Sequence, residues 1–215
     1  MENVLEVYQR PETLDQPLVC MDEASRQLVE EVRTPLPPEP GQPERYDSEY
    51  RRNGTANLFL LFEPLRGRRH VKVTARRTAC DWAHLIRELV DVRYPKSRCI
   101  TLVLDNLNTH TGASLYETFE PAEARRLLDR LEIHYTPKHG SWLNMAEIEL
   151  SVLQKQCLNR RVPNRETLER EVEAWEKRRN EEAHRVDWRF TTDKARIKLK
   201  RLYPVLKGPN ESGSK

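Results

Sequence analysis

Residues 102–110 read LVLDNLNTH. The apolar run that begins at Cys99 stops at Asp105, with Asn106 next and His110 further on. A short, continuous apolar stretch of this kind reads as a strand buried on both faces in a parallel neighbourhood. LVCMDEA at 18–24 repeats the design, with four apolar or thiol residues running into Asp22. A third string, TPKHGSWLNMAEIEL at 136–150, follows a short strand at Leu131–Tyr135. It crosses a loop containing Pro and Gly and enters a helix expected from about Asn144 to Leu158.

Outward from these strings the pattern is regular. Thr55–Phe62 and His70–Thr74 read as strands joined by the turn-like PLRGR, and Gln27–Val32 extends or pairs with the strand at 18–22. Three consecutive strands predict hairpin connections and antiparallel pairing. Thr78 and Asp81 have capping-box spacing, and Trp82, Leu85, Ile86, Leu89 and Val90 recur at helical intervals behind them. Pro121–Leu131 is predicted helical, and Pro163–Asn164 opens a further helix with Leu168, Val172 and Trp175 on one face. Five prolines in TPLPPEPGQP (34–43) exclude a sheet interior and predict an extended surface loop. The order βββαβαβα predicts an α/β protein of the RNase H-like kind, a mixed five-stranded sheet with helices on both faces. Its parts are a connector helix at 1–17, a core at 18–160 with a Pro-rich surface loop over 34–53, a basic helical extension at 161–207 and a flexible tail at 208–215.

Charged residues make up 33% and apolar residues 37% of the 215, which suits a globular protein with a modest core. No stretch approaches the ~18 apolar residues of a membrane helix. The opening MENVLEVYQRPE lacks the apolar core of a secretory signal. Cys20, Cys80, Cys99 and Cys157 form no CxxC pair and are read as free thiols in a reducing compartment. His110, His134 and His139 lack zinc spacing, and neither a GxSxG elbow nor a P-loop is present. The net charge of +3 is uneven, with −8 in residues 1–49 and +11 in the rest. Two basic tracts contain no acids: Arg66, Arg68, Arg69, Lys72, Arg76, Arg77, and Lys194, Arg196, Lys198, Lys200, Arg201, Lys207. With Lys138 and His139, these are the candidates for contacting nucleic-acid phosphates.

A lone Asp after a strand is usually a turn residue. Two of them closing the two most apolar strands bring two carboxylates together if those strands are neighbours, which costs repulsion unless a cation sits between them. Mg²⁺ suits such a pair, because it takes carboxylate oxygens and keeps waters that a phosphate can replace. For a third carboxylate, Glu147 and Glu149 compete. At ~100° per residue Glu147 shares a polar stripe with Asn144, Ser151 and Lys155, flanked by Ala146, Leu150, Leu153 on one side and Met145, Ile148, Val152 on the other. Glu149 falls roughly opposite, so Glu147 is the preferred ligand and Glu149 is read as structural.

Asp-Glu after a strand, Asp-Asn-x-x-x-His, and an Asn-x-x-Glu helix entry occur here in that order. Together they resemble the catalytic domain of DDE transposases of the mariner-like superfamily, and TPKHGSWLNMAEIELSVL resembles its bacterial insertion-sequence branch. The likeness runs from about residue 15 through Tyr203. It implies metal binding by Asp22, Asp105 and Glu147 with two Mg²⁺ (or Mn²⁺) ions. It places His110 near the active site to steer water or phosphate, and makes Asn106 a brace for the Asp105 loop. It implies strand cleavage and strand transfer at transposon ends, duplex DNA as partner, a homodimer to handle two ends, and a cytoplasmic, nucleoid-associated protein. Two departures stand out. Asp105 and Glu147 are 41 residues apart, wider than the family's usual spacing, and no helix-turn-helix module precedes the first strand, so end recognition is expected from a separate protein or a missing segment. The rival readings are an RNase H-like nuclease of another class and a silent, DNA-binding relic.

Overall fold

The computed structural model describes residues 1–203 apart from Glu44, Tyr46 and His139. Among the described residues, five strands make one mixed sheet. They are β1 (Leu18–Glu31), β2 (Tyr50–Glu63), β3 (Arg68–Thr74), β4 (Ile100–Leu104) and β5 (Leu131–Tyr135), in the spatial order β3-β2-β1-β4-β5. The first three pair antiparallel; β4 joins β1 in parallel and β5 joins β4 in parallel. Hairpins suffice for the first set, while the parallel pairs need crossovers, which the helices supply.

Helices cover both faces. On one lie α2 (Ala79–Glu88), α3 (Gly112–Thr118) and α4 (Pro121–Leu128), packed on Val19, Met21, Phe59, Leu61, Ile100, Leu102 and Leu104. On the other lie α1 (Glu2–Val7), α5 (Met145–Gln156), α6 (Arg165–Glu182) and α7 (Thr192–Lys198), packed on Cys20, Leu58, Leu60, Phe62 and Val103. The alternation of neighbouring strand residues between the two layers is the period-2 geometry of the pleat. It gives the mixed sheet with helices on both faces that the motif order predicts.

Several elements differ from the sequence reading. β1 runs on without a break to Glu31, the first of the two alternatives for Gln27–Val32, because the backbone of β2 also pairs with the polar stretch between, Asp22↔Leu60 through Gln27↔Thr55. A bulge after Gln27 then turns the Val29 N–H outward to the Val162 carbonyl at 2.8 Å. β2 already begins at Tyr50, inside the stretch read as surface loop. The α2 capping box is present in both directions, yet the helix widens after Glu88 into a π turn closed by Tyr94 N–H to Leu89 O, 3.0 Å. The helix expected over Pro121–Leu131 stops at Leu128, and a separate α3 precedes it. Val4, Leu5, Val7 and Tyr8 near α1 are buried in the same layer as Leu168, Val172 and Trp175 of α6 and Ala195 of α7. The segments before residue 18 and after residue 160 therefore share one apolar cluster with the strands between them. The tail at 208–215 and Lys207 lie outside the described residues.

Candidate active site

Parallel pairing of β1 with β4 ends at Cys20↔Val103. The same offset carried two residues further sets Asp22 opposite Asp105, just past the last residue of β4. Cys20 points into the layer that contains α5, so Asp22, two further along the same strand, points the same way. Asp22 is thus not at a strand end. It sits where β1 loses its β4 neighbour and only β2 still pairs with it.

α5 brings the third carboxylate to this gap. Asn144 caps the helix, its Oδ1 accepting the Ala146 N–H at 3.1 Å, while its Nδ2 donates to the Met21 carbonyl at 2.7 Å. One buried side chain therefore starts α5 and ties it to β1 beside Asp22, rather than facing an open crevice as the shared stripe with Glu147 predicts. Glu147, in the first turn, is exposed. Glu149 points inward at 2% exposure, where Arg69 Nε (2.6 Å) and Arg179 Nη2 (3.1 Å) both donate to its Oε1. Ile148, predicted to line an apolar flank, is 43% exposed.

The electrostatics of the gap match several carboxylates held close together. Burial pushes Asp22 up to about 6 against the pull of the Glu23 N–H on its Oδ1 (2.8 Å), and the charges of Asp105, Glu147 and Glu23 push the same way. His110 is fully buried and stacked on Trp82, ring centroids 5.8 Å apart. Its Nδ1 lies 2.6 Å from Asp105 Oδ1 and its Nε2 lies 3.2 Å from Glu23 Oε2. Burial pulls its pKa down, but the two carboxylates outweigh that and hold it at about 9. Protonated, it donates to both.

Both ring nitrogens are thereby engaged, and His110 ties Asp105 to Glu23. Asn106 is exposed, and the bond on the Asp105 carboxylate comes from His110. Glu23 and Trp82 complete this brace. The sequence reading used Glu23 only as part of an Asp-Glu dipeptide, and nothing local marks it as the partner of a histidine 87 positions away.

As a place for a divalent ion the donor set fits. It consists of hard carboxylate oxygens, and Asp22 and Asp105 each have one oxygen engaged by a protein donor and the other available. Among the described residues no three His, Cys, Asp or Glu side chains converge closely enough to hold one ion, and no hydrogen bond or ion pair holds the Glu147 carboxylate. The two aspartates are positioned by the sheet; the glutamate is free to turn.

The described basic residues are buried, paired or exposed. Arg69 is corrected outright: it is buried, donates to Glu149 and to the carbonyls of Gly67 and His184, and cannot reach a phosphate. Arg66 is engaged by Glu12 and Glu63, Lys72 by Glu88, Arg77 by Glu23 and Arg196 by Glu2. Arg68, Arg76, Lys138, Lys194, Lys198, Lys200 and Arg201 are exposed. His139 lies outside the described residues.

Residues 17–169 match the family described as DDE superfamily endonuclease. No curated protein matches the chain. Among solved structures, the Mos1 transposase paired-end complex with left transposon end is similar at 17% identity and a TM-score of 0.55, over 85% of this chain and 57% of that one. The Mos1 mariner paired end complex with Mn gives 17%, 0.54, 85% and 58%. The Mos1 strand transfer complex gives 17%, 0.59, 85% and 54%. The fold is the RNase H-like one of those proteins, and this chain spans little more than half their length. Among the described residues, no helix is long and apolar enough to cross a membrane.

Proposed function

The chain belongs to the DDE superfamily endonuclease family, and from that membership we propose that it is the catalytic domain of a transposase, cutting DNA at transposon ends and joining the freed ends to target DNA. The observation that carries the reading is the register that sets Asp22 opposite Asp105, with Glu147 near enough to raise the proton affinity of Asp22. These three residues would hold two Mg²⁺ or Mn²⁺ ions. When bound, such ions supply Lewis acidity for the attacking oxygen and charge stabilisation for the leaving one. The chain's own groups prepare that chemistry. Protonated His110 holds one oxygen of Asp105, the Glu23 N–H holds one of Asp22, and Asn144 anchors the helix that carries Glu147.

Duplex DNA is the proposed partner, engaged through phosphates by Arg68, Arg76, Lys138, Lys194, Lys198, Lys200 and Arg201. Phosphate contacts position a protein without reading sequence. End recognition would come from helix-turn-helix modules on another segment or protein, and a homodimer would handle two ends.

The test is nicking of duplex DNA. Cleavage is expected with Mg²⁺ or Mn²⁺, none in excess chelator, and none from Asp105→Asn that keeps wild-type melting behaviour. Cleavage in chelator, or an active Asp105→Asn, would remove the reading.

A further inference from the structure

Four large apolar side chains left in solvent lie on the segments that carry or adjoin the carboxylate set: Leu107, Tyr135, Trp142 and Ile148, at 38, 36, 41 and 43% exposure. Leu107 lies two residues past Asp105, and Ile148 directly follows Glu147. Tyr135 closes β5 and its hydroxyl donates to the His110 carbonyl at 2.8 Å. Trp142 occupies the 3₁₀ turn Ser141–Leu143 that leads into α5. Scattered apolar residues on a surface need no explanation, but several around one charged centre mark a contact surface.

Trp142 is the residue of this rim held most firmly in place. Gly140 N–H donates to Pro137 O (2.8 Å), Leu143 N–H to Gly140 O (3.0 Å) and Asn144 N–H to Ser141 O (2.7 Å). A Cβ on Gly140 would come within 2.6 Å of Pro137 Cγ, so the turn closes this tightly only with glycine. Asn144 then ties the turn to Met21, the neighbour of Asp22. The indole meets Phe190 in a T-shaped contact, centroids 5.7 Å apart and planes at 66°, which fixes the ring without stacking over both its faces. Lys138 in the same loop is exposed, and Arg189 next to Phe190 is exposed but paired with Asp187 at 2.7 Å. An indole held at one side by Phe190 and 41% exposed, with the exposed Lys138 in its own loop, is complementary to a nucleobase and an adjoining phosphate.

We propose that Trp142 is a stacking platform for an unpaired base of the DNA strand being processed, holding that strand against the Asp22–Asp105–Glu147 set. The inference deepens the reading of DNA strand chemistry given above and rests on it. Because every base has a π face, such a platform takes any base and discriminates between unpaired and paired strands. Trp142 is a positioning residue here; it carries no step of the reaction.

Indole fluorescence reads this directly, since Trp82 and Trp175 are buried and Trp142 is 41% exposed. Titration with a twelve-nucleotide oligothymidylate in chelator, where no cutting occurs, is expected to quench the wild type. A duplex of the same length is expected to quench it less. Trp142→Ala should lose the quench and bind the oligonucleotide about tenfold more weakly, within the range measured for one base stacked on one aromatic. Trp142→Phe should keep the affinity to within about threefold, and Trp188→Phe should keep the quench. Unchanged affinity in Trp142→Ala, or a quench that survives that substitution, overturns the proposal. So does a wild-type dimer that becomes monomeric in Trp142→Ala with DNA binding intact, because the rim would then be a protein interface. A wild type that stacks the oligonucleotide but never cuts defeats the catalytic reading and leaves this one standing. A wild type that cuts while Trp142→Ala binds normally defeats this one alone.

Discussion

Glu147 and Glu149 stand two residues apart on α5 and meet opposite surroundings. Glu149 is buried between Arg69 and Arg179, while Glu147 is exposed and adds its charge to two aspartates that already repel each other. Two residues along a helix turn a side chain by about 200°, enough to move a carboxylate from a closed ion cluster to an open one. The closed cluster ties β3 and α6 to α5 and holds the helix still. The open one stores repulsion that only a cation relieves. The helix anchored through Glu149 fixes where the Glu147 backbone stands and leaves its side chain to turn toward the aspartates.

Substitution at the open end should have the largest effect. Glu147→Gln is expected to lower metal-dependent cleavage by about a thousandfold or more, with a melting temperature equal to or above wild type, because it removes charge from a repelling set. Nicking assays and thermal melts on one preparation separate the two effects. A Glu147→Gln protein that cuts normally would break the comparison.

At the closed end the order reverses. Glu149→Ala leaves two buried guanidinium groups without their carboxylate, and removing one partner of a buried pair costs about 3–5 kcal/mol. At about 2–4 °C per kcal/mol for a chain of this size, the melt should fall by roughly 6–20 °C. Residual cleavage should survive well below the new melting point. A Glu149→Ala protein that melts like the wild type yet is inactive would place Glu149 in the chemistry. Charge reversal across the pair would sharpen the point, since Arg69 is as buried as its partner.

The smallest effect concerns Asp22. Its folded pKa is raised to about 6, chiefly by burial. Through the window from its ordinary value of 3.8 up to about 6 the folded state therefore binds more protons than the unfolded one, and stability falls as pH rises. Above about 6 the loss is complete. In chelator, Asp22→Asn should melt higher than wild type by an amount worth on the order of 1–3 kcal/mol at pH 7, shrinking toward zero near pH 4. Mg²⁺ should raise the wild-type melt and leave Asp22→Asn nearly unmoved. A variant that gains nothing over wild type at pH 7 would mean that neither burial nor neighbouring charge penalises ionised Asp22.

The apolar run ending at Asp105, the capping box at Thr78 and Asp81, and the entry to α5 at Asn144 are all legible in the sequence, because each is set by neighbours a few residues apart. The length of β1 is not. Its Asp22–Gln27 stretch has no strand-like alternation, and its pairing is supplied by β2 from Asp22↔Leu60 to Gln27↔Thr55, far along the chain. Arg69 misleads for a related reason. Among Arg66, Arg68 and Lys72 it looks like one more surface cation, and only a contact with a residue 80 positions distant takes it inside.

The sequence by itself therefore determined most element types, a mixed five-stranded sheet and a short list of acidic candidates, since these follow from periodicity, turn chemistry and the polar ends of apolar runs. Tertiary structure alone decided which carboxylates meet and which are neutralised. The parallel register of β1 and β4 aligns Asp22 with Asp105, the Asn144 bond to Met21 sets where α5 begins, and His110 reaches both Glu23 and Asp105 across the sheet. Charge interactions depend on distance through space and on burial, and neither quantity is written in the spacing of residues along a chain.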